Sequence, residues 1–391
     1  MRSSIRRSIA LSLVAVAALG AIAAPASAAA KTRYVAPKGS GGGSCATPDK
    51  HSIAAAIKAS RAGDTILVCP GTYKGAFTVS KARLTIKATK TGKAKVTLAA
   101  NATGDVVHID AASATVQGLR IQAPTTGCGA AVVALISVTP SGAGARILSN
   151  TLEPAGTDTI GACGYAIGIL ANGSPVEIRR NTIRDFTQSG VVFYGGTVAD
   201  NKIQYRHAAE EALDAATGTG IEADTTAPVT ITGNEVIGLA SRLHAAGPTA
   251  GATPVLNVGI ALVDNGASGS VVSNNIVQYA EQDGIFLFHG SDATIHANTI
   301  KDVRTDGIRG TGGSGFTISD NVISNSGFGP SGIGIQLNSF AGSSILRNDA
   351  RAGAAIDCSD DSTGVGSEGT DNTWTDDLGL TDEPDGICSP T

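Results

Sequence analysis

The chain has little of what fills an ordinary globular interior. Aromatics make up only 4% of its 391 residues, with one Trp and one Met. A core built on large rings is excluded, and stacked Ile, Val, Leu and Ala must do the filling. Charged residues are sparse at 16%, and the net charge is −4. That balance lacks the basic surplus a nucleic-acid partner calls for. No nucleotide, haem or flavin motif is present. No two cysteines have the close C-x-x-C spacing of a metal site. Beyond the N-terminus no apolar run is long enough to span a bilayer, so no membrane span is expected once that segment is removed.

What is abundant is glycine, 50 residues of it, together with one returning phrase, apolar-x-x-Asn-x-apolar. Its Asn falls at positions 181, 201, 234, 275, 298, 321 and 348, as in Ile295-His-Ala-Asn298-Thr-Ile300. Six of these are followed by a second phrase, Gly and then alternating apolar residues, as in Gly284-Ile-Phe-Leu-Phe288. Asn275 to Gly284 is 9 residues and Gly284 to Asn298 is 14, so the plain unit is 23 residues. That is too short for a strand, a crossover helix and a loop. It fits one turn of a single-stranded right-handed parallel β-helix, an all-β fold whose coils stack at about 4.8 Å. Asn suits the recurring corner because it tolerates left-handed backbone and bonds locally. Stacked Asn side chains can also bond one another along the array.

At the start, Arg2, Arg6 and Arg7 precede an apolar run over 9–24 and the small residues Ala26-Ser27-Ala28. Residues 1–28 are expected to be a secretory signal, placing the mature protein outside the cell. The Arg6-Arg7 pair leaves twin-arginine export open beside the general route. Removing this segment takes three arginines and moves the net charge from −4 to −7. Residues 29–62 are expected to form an N-terminal segment with an amphipathic capping helix. Residues 63–357 should form the β-helix and residues 358–391 an acidic, disulfide-tied tail. Positive charge gathers near the first coils, and residues 352–391 hold ten acids and no base. Six cysteines in an exported chain argue for disulfides, with fifteen pairings open. Pairing of neighbours is expected: Cys45 with Cys69, Cys128 with Cys163, and Cys358 with Cys388.

Near the start, a short helix leads into Gly63-Asp-Thr-Ile-Leu-Val-Cys-Pro-Gly-Thr-Tyr73, and coils of Asn-x-Ile and Gly-Ile-x-Leu follow. This order resembles the secreted right-handed parallel β-helix proteins of the pectate-lyase-like superfold, over roughly residues 33–360. The resemblance stops short of an enzyme family. The Gly-His-Gly and Arg-Ile-Lys signatures of polygalacturonase-like enzymes are absent, as are the Trp-Ile-Asp-His of pectate lyases and the Asp-Pro-His-Glu of alginate epimerases. Fold alone licenses no reaction.

The insertions point to a site. The limb from Asn to Gly lengthens to 19 residues after Asn201 and 25 after Asn234, so the extra chain collects on one flank. Beside it, Ile221, Ile260, Ile285, Ile308 and Ile335 must point inward. Period two then turns Glu222, Asp224, Phe286, Phe288, Arg309 and Gln336 outward, with Tyr194 one coil earlier. Aromatics beside carboxylates, an Arg and amides suit sugar rings, which have apolar faces and hydroxyl edges. The bland alternative has Phe286 and Phe288 merely covered by the 237–258 insertion. Glu222 and Asp224 are the candidate catalytic pair, about 6.6–6.8 Å apart at the backbone. That is near the roughly 6.5–9.5 Å between carboxyls in inverting glycosidases. His207, Glu210, Glu211 and Asp214 stand in the adjacent insertion; an acidic patch without chemistry is the alternative. The reading is an extracellular glycan or anionic cell-wall polymer as partner, for a monomer. If it is an enzyme, it is a glycoside hydrolase or a polysaccharide lyase, the latter with Ca²⁺ assistance. Against this stands a non-catalytic surface protein whose basic end docks on cell walls.

Overall fold

A computed structural model describes residues 29–97, 104–123, 132–154, 165–173, 175–186, 188–205, 218–224, 227–239, 256–264, 269–326, 332–351 and 355–390. The proposed signal, Cys128, Cys163, His207, Glu210, Glu211 and Asp214 lie outside them. Among the described residues, three parallel sheets of 13, 12 and 10 strands run along the molecule. A complete coil in mid-molecule gives one strand to each sheet. The coil at 294–311 contributes Thr294–His296, Thr299–Lys301 and Asp306–Thr311, each paired in register with the coils on either side. The interior is a file of aliphatic side chains: Ile221, Ile260, Ile285, Ile308 and Ile335 are all 0% exposed. Among the described residues, the rings in the set of largest fully buried side chains are Phe186, Phe193, Phe316 and Phe340.

The Asn corner is the regular feature that holds the register. Eight asparagines, from Asn150 to Asn348, stand in single file, and each Nδ2 donates to the Oδ1 of the next at 2.9–3.1 Å. The same Oδ1 also accepts the preceding Asn backbone N–H, and the second Nδ2 hydrogen goes to a carbonyl, as from Asn298 to Val272. The file starts where Leu119 N–H donates to Asn150 and ends where Asn348 donates to the Asp377 carboxylate at 2.8 Å. Burying these amides is cheap because every polar atom is paired. The left-handed residue is not the Asn, as the sequence suggested, but the residue before it: Arg180, Asp200, Asn274, Ala297, Asp320 and Arg347 have φ of 54–56°. The Asn keeps its ordinary backbone, and its predecessor makes the bend.

On the 12-stranded sheet, glycine is the second residue of strands such as Asp283–Phe288 because coils approach too closely there for a side chain. A Cβ at Gly284 would stand 2.6 Å from the Gly307 carbonyl oxygen and overlap an Ile300 methyl. The helix Ile53–Ala59, capped by the Ser52 side chain, buries Ile53, Ala56 and Ile57 over the first coils. At the other end, the ladders continue past Cys358. Trp374 pairs in register with Ile345, and its indole N–H donates to Asp360. Disulfides join Cys45 to Cys69 and Cys358 to Cys388, as expected from neighbour pairing. No described helix is long and apolar enough to cross a membrane.

Asn298→Ala should strand the two donors of Asn275 and half the acceptance at Asn321. Each orphaned buried group costs about 1–3 kcal/mol, so a loss of roughly 3 kcal/mol is expected in equilibrium denaturation. A loss below about 0.5 kcal/mol, the scale of an ordinary surface change, would show that the file carries no stability.

Candidate functional site

The outer face of the 12-stranded sheet brings the expected residues together. Glu222, Ala261, Phe286, Arg309 and Gln336 stand one above another in register. Asp224, Val263, Phe288, Thr311 and Asn338 form a parallel file beside them. Glu222, Asp224, Phe286, Phe288, Arg309 and Gln336 are all half-buried, neither sealed in nor standing free. Tyr194 follows Phe193, which pairs with Ala223, so it stands beside Asp224.

At one end of this ribbon Glu222 lies within the field of Asp224. Glu222 accepts from the Ser189 hydroxyl at 3.2 Å. Burial raises its pKa, the Ser189 bond opposes that, and the charge on Asp224 adds to it. Burial and then the same two carboxylates push the Tyr194 phenol up. In mid-ribbon the Arg309 guanidinium lies 4.2 Å over the Phe286 ring, which is 5.7 Å from Phe288. Phe288 in turn touches His289, whose Nδ1 is 3.2 Å from Asp264. His289 has φ of 57° and follows the end of the strand Asp283–Phe288.

The structure adds a second acid pair that sequence reasoning missed. Asp283 and Asp306 are register partners at the heads of adjacent strands, with side chains 1% and 3% exposed. Arg309 Nε and Nη2 donate to Asp283 Oδ2 at 3.0 and 2.6 Å, and Arg309 Nε is 3.8 Å from Asp306. Ile333 N–H donates to Asp306 Oδ1 at 3.1 Å. With one guanidinium between two buried acids, ionising both is costly: burial, then the charge on Asp283, lifts Asp306 to about 7. The signal was legible as Asp-Gly-Ile at 283–285 and again 23 residues later at 306–308, a spacing that stacks the two carboxyls. Together with Gln282, Thr305, Arg309 and Gln336 they line a notch of about 430 Å³. Among the described residues no group of three or more His, Cys, Asp or Glu is placed to hold a metal ion.

Asp306 gives a pH signature. An unfolded Asp titrates near 3.9, so between about pH 4 and 7 the folded state holds a proton that the unfolded state has lost. Stability from this group is complete below the unfolded pKa and lost as pH rises through 7. Wild type should therefore lose at least about 1.4 kcal/mol relative to Asp306→Asn between pH 5 and 8, the equivalent of a tenfold difference in proton affinity. Parallel urea-denaturation profiles for the two proteins would contradict the assignment.

Residues 258–373 match the model of the right handed beta helix region family. No curated protein matches the sequence. Among solved structures, the A-module of the Azotobacter vinelandii mannuronan C-5 epimerase AlgE6 is similar, with a TM-score of 0.56 at 14% identity. That match covers 84% of this chain and 92% of the module. The Dettilon tailspike protein superimposes with a TM-score of 0.58 at 17% identity, over 83% of this chain and 62% of the tailspike. At such identities the likeness speaks for the fold alone. By its repeat, its three ladders and these matches, the chain is a right-handed parallel β-helix protein.

Proposed function

We propose that this protein is secreted and recognises an extracellular or cell-wall polysaccharide along the outer face of the 12-stranded sheet, with Glu222 and Asp224 as the pair that would cleave it. The observation that carries the reading is the register of Tyr194, Glu222, Asp224, Phe286, Phe288, Arg309 and Gln336 on one half-buried ribbon. Rings give apolar platforms for sugar faces, and the carboxylates, guanidinium and amide meet hydroxyl edges. In the cleaving role, the raised Glu222 is the proton donor to the glycosidic oxygen, and the Asp224 carboxylate activates water. The fold is compatible with polysaccharide chemistry, since one similar structure is named for its action on mannuronan. The two disulfides suit an oxidising compartment.

A panel of uronate polymers and cell-wall glycans tests both parts. Retention on at least one glycan is expected, with hydrolysis slowed at least about 100-fold in Glu222→Gln, the lower range for a lost general acid. Retention without turnover leaves recognition and removes catalysis; neither on any glycan ends the reading.

The non-catalytic alternative rests on the basic end, where Lys87, Lys90 and Lys93 are exposed and Lys95 is half-buried. It predicts salt-sensitive retention on isolated cell walls, lost when these four lysines are neutralised. Retention unchanged by salt or by those substitutions would reject it.

A further inference from the structure

The notch around Asp283 and Asp306 is built differently from the rest of the ribbon. Its two acids face one guanidinium, so once Asp306 ionises the cluster carries one negative charge in excess. Asp283 Oδ2 takes both Arg309 bonds, while Asp283 Oδ1 is buried and accepts none. A buried carboxylate oxygen without a donor is costly, and here it belongs to a carboxyl that lines an open notch. The flanking charges do not correct the imbalance. Glu281 is paired with Arg304 at 3.2 Å, and Gln282, Thr305 and Gln336 bring only neutral dipoles. Phe286, under Arg309, continues the apolar platform to the rim of the notch.

We propose that this notch is a subsite for the ammonium group of an unacetylated amino sugar, with the Asp306 carboxylate as its acceptor and the buried Asp283 charge behind it. The proposal rests on the glycan-recognition reading and narrows its substrate class. An ammonium brings the three donors and the single positive charge that the cluster lacks. Arg309 supplies the other cation while its stem and plane stay fixed by Asp283 and Phe286. Gln282, Thr305 and Gln336 are placed to meet the hydroxyls around the amine-bearing carbon. An N-acetyl group would bring a neutral amide and added bulk to the same place, leaving the surplus charge unpaired. The affinity of Asp306 for a proton near neutral pH agrees, because the proton supplies the same missing charge from water.

Titration calorimetry on the full chain with a glucosamine trimer, an N-acetylglucosamine trimer and trilysine tests the idea. The glucosamine trimer should bind at least tenfold more tightly than the other two. Asp306→Asn should lower its affinity tenfold or more, while its melting temperature at pH 7.5 equals or exceeds that of wild type, since a buried like charge is gone. Equal binding of the acetylated trimer overturns the amine subsite and leaves glycan recognition standing. Trilysine binding as tightly as the sugar, or full affinity in Asp306→Asn, also overturns it. Absence of binding by every glycan, in this assay and on the panel, removes both readings.

Discussion

The file of buried asparagine side chains is the constraint on which the rest of the molecule depends. From Asn181 onward each Asn Oδ1 accepts a side-chain and a backbone N–H from the coil before, so the corner of one coil fixes that of the next. A coil that slipped by one residue would break these bonds and turn every aliphatic of its strands to solvent. Regular stacking of Ile and Val follows from that corner. So does the stacking of outward residues into files. The surface inherits its order from a feature buried at the opposite turn of the coil.

That order gives meaning to small sequence differences. Between the coils at 283–288 and 306–311 the backbone is the same, yet Phe286 is replaced by Arg309 and Phe288 by Thr311 in direct register. A cation is thereby placed on a ring and between two acids in one step. The ribbon is graded as a result: paired acids beside a phenol at Glu222, aromatic rings in the middle, and a charged notch at Arg309. A chain-like ligand lying along the coils would meet each zone in turn.

Most of the fold was legible because the repeat is strict. The 23-residue spacing, the inward isoleucines, the capping helix and the Cys45–Cys69 and Cys358–Cys388 pairings all follow from residues visible in the sequence. The left-handed residue was misplaced by one position because the choice of Asn was attributed to backbone freedom, when its side-chain hydrogen bonds are the cause. The ladders beyond Cys358 were hidden because the last coils lack apolar alternation; Trp374 and Asp377 occupy the positions that Ile and Asn hold elsewhere. At the site, period-two alternation found Glu222, Asp224, Phe286, Phe288, Arg309 and Gln336. It overlooked Asp283 and Asp306, which head their strands just before the glycine and become neighbours only when coils are stacked.

The claim that the asparagine file sets the register is tested most directly by hydrogen exchange at the side-chain amides of Asn181, Asn201, Asn234, Asn275, Asn298, Asn321 and Asn348, followed by NMR. Their Nδ2 protons are predicted to exchange only through global unfolding, as slowly as the most protected backbone amides of the sheets. Exchange of these protons at the rate of exposed asparagine, while the backbone ladders stay protected, would contradict the account.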